Sequence, residues 1–228
     1  MPKKQDYLCT YQTYISMLKA VITGKLLCPA TAAEWKQFIA DSLKDCAADI
    51  AKQTNVKVGI QIDGDNLTAL VDKPEHALTV AVALKAKLAS STPEDTDMWD
   101  ARLSIGVGEV SSDSGIPSTD NEAFRRSAEA LSNIGKRRLC FSTPWPEADD
   151  YMGDIFSEHI DYTTKRWTAK QALIVYYALL FHKPLNKLAD QCDMDRKSAS
   201  YIILESCYHV ITFQIKQFTD LIADLCKM

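Results

Sequence analysis

The sequence predicts an α+β protein: a unit of order βαββαβαβ over residues 17–146, then an all-helical unit over residues 147–228 that contains a helix-turn-helix. Three observations carry this expectation. Short apolar–polar alternations recur as far as residue 142, segments with apolar residues three and four apart separate them, and beyond Pro146 only the helical spacing continues. At 228 residues the chain can fill one large core or two modest ones, and two domains are the starting expectation. Residues 1–16 read as an extension ahead of the first strand.

The run Met17-Leu18-Lys19-Ala20-Val21-Ile22-Thr23-Gly24 predicts a core strand ending at its glycine. Residues 31–54 place Trp35, Phe38, Ile39, Leu43, Cys46, Ala47 and Ile50 at helical spacing. Val56, Val58, Ile60 and Ile62 then alternate with polar residues, Asp63-Gly64-Asp65 intervenes, and Leu67, Ala69 and Val71 resume the alternation. Such an interruption predicts a hairpin, because primed turns need positive φ and glycine supplies it. Pro74 opens a second helix to about residue 89, and residues 90–97 form a loop. Residues 102–110 predict the fourth strand, 111–120 a polar loop, 121–135 a helix closed by Gly135, and 139–142 a short last strand.

In the C-terminal part Thr168 and Gln171 match a capping box opening a helix to Phe181. Pro184 starts the next helix, with Leu185, Leu188, Ala189 and Cys192 on its inner face. After the turn Asp193-Met194, Asp195 caps a helix over 196–206, and a last amphipathic helix covers 208–226.

Composition narrows the function classes. A hydrophobic share of 46% and a charged share of 25% describe a globular chain, neither disordered nor fibrous. The longest apolar run, 172–181, is half the roughly 20 residues a membrane helix needs. With no secretory signal at the start, a cytoplasmic protein without a membrane partner is expected. The seven cysteines include no C-x-x-C pair, so Cys28, Cys46, Cys140, Cys192 and Cys207 are expected as buried thiols and no cofactor or metal is implied. A net charge of -4 excludes attraction of nucleic acid by the whole surface, so duplex DNA would have to meet a local patch.

The helix pair around residue 193 offers such a patch. Its helices need a small residue where they cross and apolar anchors beyond the turn, and Ala189, Met194, Ala199 and Ile202 meet that need. Arg196, Lys197, Ser200 and Tyr201 then face outward at the start of the second helix, where base edges and phosphates would be met. Asp193 stands at the turn position that glycine commonly fills, and Asp190, Asp193 and Asp195 surround the reading surface.

In the first unit, a carboxylate hairpin between the second and third strands fits the ferredoxin-like plan of nucleotidyl cyclase and polymerase palm domains. In such sites two carboxylates hold divalent ions against a triphosphate. Ala20-Val21-Ile22-Thr23-Gly24, Gly64-Asp65, Arg102 to Glu109 and Ala123-Phe124-Arg125-Arg126-Ser127 together resemble the SatD family, cyclase-like domains with a C-terminal helix-turn-helix in several members. The resemblance runs from Met17 to the end and implies a cyclase-like fold without implying an activity. The family pattern has Gly-Asp after the first strand and Gly-Asp-Glu-Phe on the hairpin, whereas this chain has Gly24-Lys25 and Gly64-Asp65-Asn66-Leu67. A lysine in place of a metal-binding carboxylate puts a cation where a divalent ion would sit. Lys25 could meet an anionic ligand or nucleotide directly, joined by Asp63, Asp65, Glu109, Arg125 and Arg126, although Asp63 and Asp65 are also favoured turn residues.

The function expected is regulatory: a non-catalytic cyclase-like unit that senses a ligand or dimerises, joined to a DNA-binding helical unit. A homodimer paired through the apolar face of 208–226 is expected. The alternatives are a metal-dependent nucleotide-processing enzyme using Asp63, Asp65 and Glu109, and a protein-interaction module.

Overall fold

Strand β1 (Leu18–Leu27) forms the middle of a five-stranded sheet in the computed structural model, which describes residues 18–28, 33–110 and 121–228. The expected extension 1–16 and the expected loop 111–120 lie outside the described residues. Helix α1 (Ala33–Thr54) leads to the hairpin strands β2 (Val58–Asp63) and β3 (Asn66–Val71), and a 3-10 turn at Pro74–His76 precedes α2 (Ala77–Ser90). Strand β4 (Asp100–Glu109), helix α3 (Glu122–Ser132) and strand β5 (Leu139–Ser142) complete the expected βαββαβαβ order. The sheet order is β2-β3-β1-β4-β5, with β1 antiparallel to both neighbours and β5 parallel to β4. The mixed α+β class with its single sheet follows.

Alternation on β1 separates two faces. Ala20, Ile22 and Leu26 join Leu67, Ala69, Val71, Leu103, Ile105 and Val107 in the main core, while Val21 packs with Leu70 and Ala123 on the α3 side. Gly24 does not end the strand, as expected from sequence, but sits inside it. A Cβ there would lie 2.5 Å from Leu103 Cδ2 and 2.9 Å from the Arg102 carbonyl, so β4 can run close only past a glycine. The hairpin turn also differs in detail from an Asp-Gly turn: Gly64 and Asp65 are its centre, and only Gly64 takes positive φ, at 60°, as in a type II′ turn.

Helix α2 is apolar around most of its surface because it is covered around most of it, Lys85 being buried and Thr79, Lys87 and Ser90 half-buried. Ten of its side chains between Ala77 and Ala89 are apolar and buried, facing the sheet and α1 in one direction and the C-terminal helices in the other. Its outer neighbour is α6 (Ala169–Phe181), which is also apolar nearly all round. Buried residues of the sheet, α2, α6 and the last helix therefore form one contiguous cluster.

Between the sheet and α6 lie α4 (Pro146–Met152), a π-helical turn at Gly153–Ser157 and α5 (Glu158–Thr164), helices the sequence reading did not resolve. Beyond α6, which opens with the expected Thr168–Gln171 capping box, follow α7 (Leu185–Gln191), α8 (Arg196–Glu205) and α9 (Tyr208–Leu225). The apolar stripe of α9 expected to pair two copies is used inside the chain: Ile211, Ile215, Phe218 and Ile222 are buried in the common cluster. Cys207, expected to be buried, is exposed at positive φ between α8 and α9. Among the described residues no helix is long and apolar enough to cross a membrane.

Candidate functional site

The turn between α7 and α8 is built by a Schellman motif. The Met194 N–H donates to the Ala189 carbonyl at 3.0 Å and the Asp193 N–H to the Asp190 carbonyl at 3.4 Å, with Asp193 left-handed at φ 49°. The position does demand the conformation that glycine favours, and aspartate is among the few residues that tolerate it. Ala189 and Ala199 are buried, and Met194 and Ile202 pack at the edge of the same cluster, as the anchors were expected to do.

Asp195 then starts α8. Its Oδ1 accepts from the Lys197 N–H at 2.8 Å and the Ser198 N–H at 3.0 Å, and its Oδ2 accepts from the Ser198 hydroxyl at 2.5 Å. Those Ser198 bonds hold the carboxyl below its usual range. The capped first turns leave Arg196, Lys197, Ser200 and Tyr201 exposed on one surface, as expected. Lys197, Ser200 and Tyr201 border a groove of ≈ 770 Å³ that Lys183, Leu188 and His209 also line. At the other end of α8 the Trp167 indole N–H donates to the Ser206 carbonyl at 3.0 Å, which fastens the helix to the turn before α6.

On the sheet, pairing register brings part of the expected ligand set together. Asp63 lies opposite Asn66, Asn66 opposite Lys25, and Lys25 opposite Arg102, so the four form one row across β2, β3, β1 and β4. At roughly 4.8 Å per strand the row is about 14 Å long. The row behind it is Gln61, Thr68, Thr23 and Ser104. Both rows lie on the α3 face, by alternation from Val21 and Leu70. The Asp65 carbonyl accepts from the Leu26 N–H at 2.8 Å, which ties the hairpin tip to β1. The Thr23 Oγ1 and Arg102 Nε atoms are buried and have no hydrogen-bond partner among the described residues. Sequence reading missed Arg102, although the period of β4 places it on the same face as Gly106 and Gly108.

Glu109, Arg125 and Arg126 are elsewhere. Glu109 pairs with Leu18 at the opposite end of β1, about 24 Å along β4 from Arg102 at 3.4 Å per residue. Arg126 binds Glu122 at 2.7 Å and the Thr143 carbonyl at 2.8 Å, and Arg125 faces Glu129 at 3.7 Å. Burial works against the ionised Glu122, but the Glu109 N–H and Arg126 outweigh it and hold the carboxyl below its usual range. The expected six residues thus divide into a hairpin group and a group at the start of α3. Burial pushes the thiols of Cys28 and Cys46 up to about 12 and that of Cys226 to about 11, away from the thiolate form.

No protein-family model and no curated protein matches the sequence. Among solved structures the chain is similar to bacterial nucleotide cyclases and to a regulator of expression. A bacterial light-regulated adenylyl cyclase is 16% identical with a TM-score of 0.36, over 55% of this chain and 43% of that one. The active GGEEF domain of a diguanylate cyclase from Vibrio cholerae is 15% identical with a TM-score of 0.34, over 60% of this chain and 89% of that domain. A regulator of polyketide synthase expression from Bifidobacterium adolescentis is 13% identical with a TM-score of 0.27, over 94% and 90% of the two chains. This chain therefore spans less than half of the adenylyl cyclase, and likenesses at these TM-scores assign it no residue and no activity.

Proposed function

We propose that the protein is a DNA-binding regulator in which α7 and α8 act as a helix-turn-helix and the SatD-like, cyclase-like sheet unit is a non-catalytic ligand-sensing or dimerisation platform. The observation that carries this reading is the surface of α8: a rigidly built turn and cap present Arg196, Lys197, Ser200 and Tyr201 together, with no intramolecular ion pair engaging the two cations among the described residues. A planar guanidinium at a helix start suits guanine in the major groove, and an ammonium suits a phosphate. Duplex DNA is the partner this surface fits.

Support for a non-catalytic platform comes from Lys25, which stands in the middle of the hairpin row, and from Glu109, which lies at the far end of the sheet from Asp63. A row holding Lys25 and Arg102 suits an anionic small ligand such as a nucleotide better than a pair of divalent ions. Selection from a random-sequence duplex pool tests the DNA reading, with recovery of an enriched sequence motif expected. A pool that stays random through successive rounds contradicts it. Formation of cyclic or linear nucleotide products from ATP or GTP, abolished by Asp65→Ala, contradicts the non-catalytic platform.

A further inference from the structure

A second cation cluster lies apart from both surfaces described above. Lys136 and Arg137, from the segment after α3, and Lys165 and Arg166, from the turn between α5 and α6, line a concavity of ≈ 450 Å³ with Glu158, Asp161 and Tyr162. Both carboxylates are already committed. Glu158 faces Arg137 at 3.9 Å, and Asp161 faces Lys165 at 3.5 Å while accepting from the Arg138 N–H at 2.5 Å. Among the described residues no carboxylate pairs with Lys136 or Arg166. The Arg166 guanidinium carbon stands 3.4 Å over the Tyr162 ring, which is itself 65% exposed. Stacking fixes the guanidinium before any ligand arrives, so little side-chain freedom remains to be lost on binding.

Residues 183–206, which include the whole α7–α8 surface, carry four basic and four acidic side chains, and the chain as a whole has a net charge of -4. That surface can read bases, but it supplies little of the sequence-independent attraction on which DNA affinity depends. The concavity, with four cations against two carboxylates, has the missing sign. Its position is also fixed relative to α8, because Trp167, the neighbour of Arg166, donates to Ser206 at the end of that helix. Arg166 is thereby held beside the residue that anchors the C-terminal end of α8, so the cluster and the α8 surface keep a fixed relation to one another.

We propose that Lys136, Arg137, Lys165 and Arg166 form a phosphate-binding surface for duplex DNA that supplies the sequence-independent part of the affinity. The inference rests on the DNA-binding reading of α8, and a single titration separates the two. The unaltered protein, the variant Lys136→Ala with Arg166→Ala, and the variant Arg196→Ala with Lys197→Ala are titrated against a labelled duplex between about 50 and 200 mM salt. Losing two phosphate contacts should lower the slope of log affinity against log salt by about 1.8. Lys136→Arg with Arg166→Lys, which keeps both charges, should retain the slope. Binding by the unaltered protein with no change of slope in the first variant overturns the phosphate surface and leaves the α8 reading standing. Normal affinity in the Arg196 and Lys197 variant with the slope lost in the Lys136 and Arg166 variant overturns the α8 reading and keeps the phosphate surface. No salt-dependent binding by the unaltered protein overturns both.

Discussion

The Lys85 ammonium donates to the Asp100 carboxylate at 2.5 Å with both side chains almost wholly out of water, joining α2 to the start of β4. Lys85 also donates to the Ala101 carbonyl at 2.9 Å, and Arg138 binds the other oxygen of Asp100. Such a group is costly to break from one side, because the remaining charge has no water to turn to. Asp100→Asn should cost about 3–5 kcal/mol, since it strands the Lys85 ammonium. Lys85→Met should cost less, about 2 kcal/mol, since Arg138 still neutralises Asp100. Urea midpoints of the two variants check the order; equal losses contradict it.

Asp100, Asp149 and Asp161 set the pH response. Burial works against the ionised Asp100, but Lys85, Arg138 and the Ala101 N–H outweigh it and hold its carboxyl below the usual range. Its stabilising contribution is complete above the ordinary aspartate value of about 4 and is lost as pH falls through the lower folded value. Asp149 and Asp161 move the other way, with burial carrying both above the usual range. Their ionised forms cost stability at neutral pH, and that cost disappears as pH falls towards about 4. Stability should therefore rise slightly from pH 7 to the mildly acidic range and drop steeply below about 4. Thermal melts across this range check it, and a monotonic fall from pH 7 contradicts it.

Gly106 is the contact point between β4 and α3. A Cβ at this position would stand 2.3 Å from the Ala123 carbonyl oxygen and 2.5 Å from the Ser127 nitrogen, and backbone cannot step aside as a side chain can. Gly106→Ala should cost about 3 kcal/mol, at the upper end of ordinary overpacking. A loss under about 1 kcal/mol by chemical denaturation would mean that α3 does not lie against this strand.

Asp193 offers a change in the stabilising direction. At φ 49° glycine is free of the Cβ strain that aspartate carries, though it adds freedom to the unfolded chain. Asp193→Gly should gain about 0.5 kcal/mol and raise the melting temperature slightly while keeping the α7–α8 turn. A lower melting temperature contradicts the left-handed assignment.

Much of this architecture was legible because alternation and capping are local signals. The β5 bounds, the Thr168–Gln171 capping box and the Asp195 cap follow from residues within four positions of one another. The continuation of β1 beyond Gly24 was not legible, because the reason for that glycine is the approach of Leu103 and Arg102, some eighty residues later. The helices after Pro146 carry a signal that is easily passed over: Ala148, Met152, Phe156 and Ile160 recur strictly every four residues. In an α-helix each such step overshoots a turn by about 40°, so four residues in line would drift off the core. The wider turn at Gly153–Ser157 takes up that drift. Of the expected ligand residues, strand register unites Lys25 with Asp63 and separates Glu109, a distinction only the pairing of β1 and β4 can make.

In the proposed function α8 reads DNA through its first turns. Arg196 and Lys197 are exposed and absent from the buried cluster, so Arg196→Ala with Lys197→Ala should leave the fold and its melting temperature unchanged. Fluorescence anisotropy of a labelled duplex carrying a selected site, titrated with each protein at two salt concentrations, measures the consequence directly. The unaltered protein should bind with an affinity that falls as salt rises, and the double variant should bind at least about tenfold more weakly, each lost base contact being worth about 1–3 kcal/mol. Equal binding by the two proteins, or no salt-sensitive affinity in the unaltered one, contradicts the account and leaves the helix pair as architecture alone.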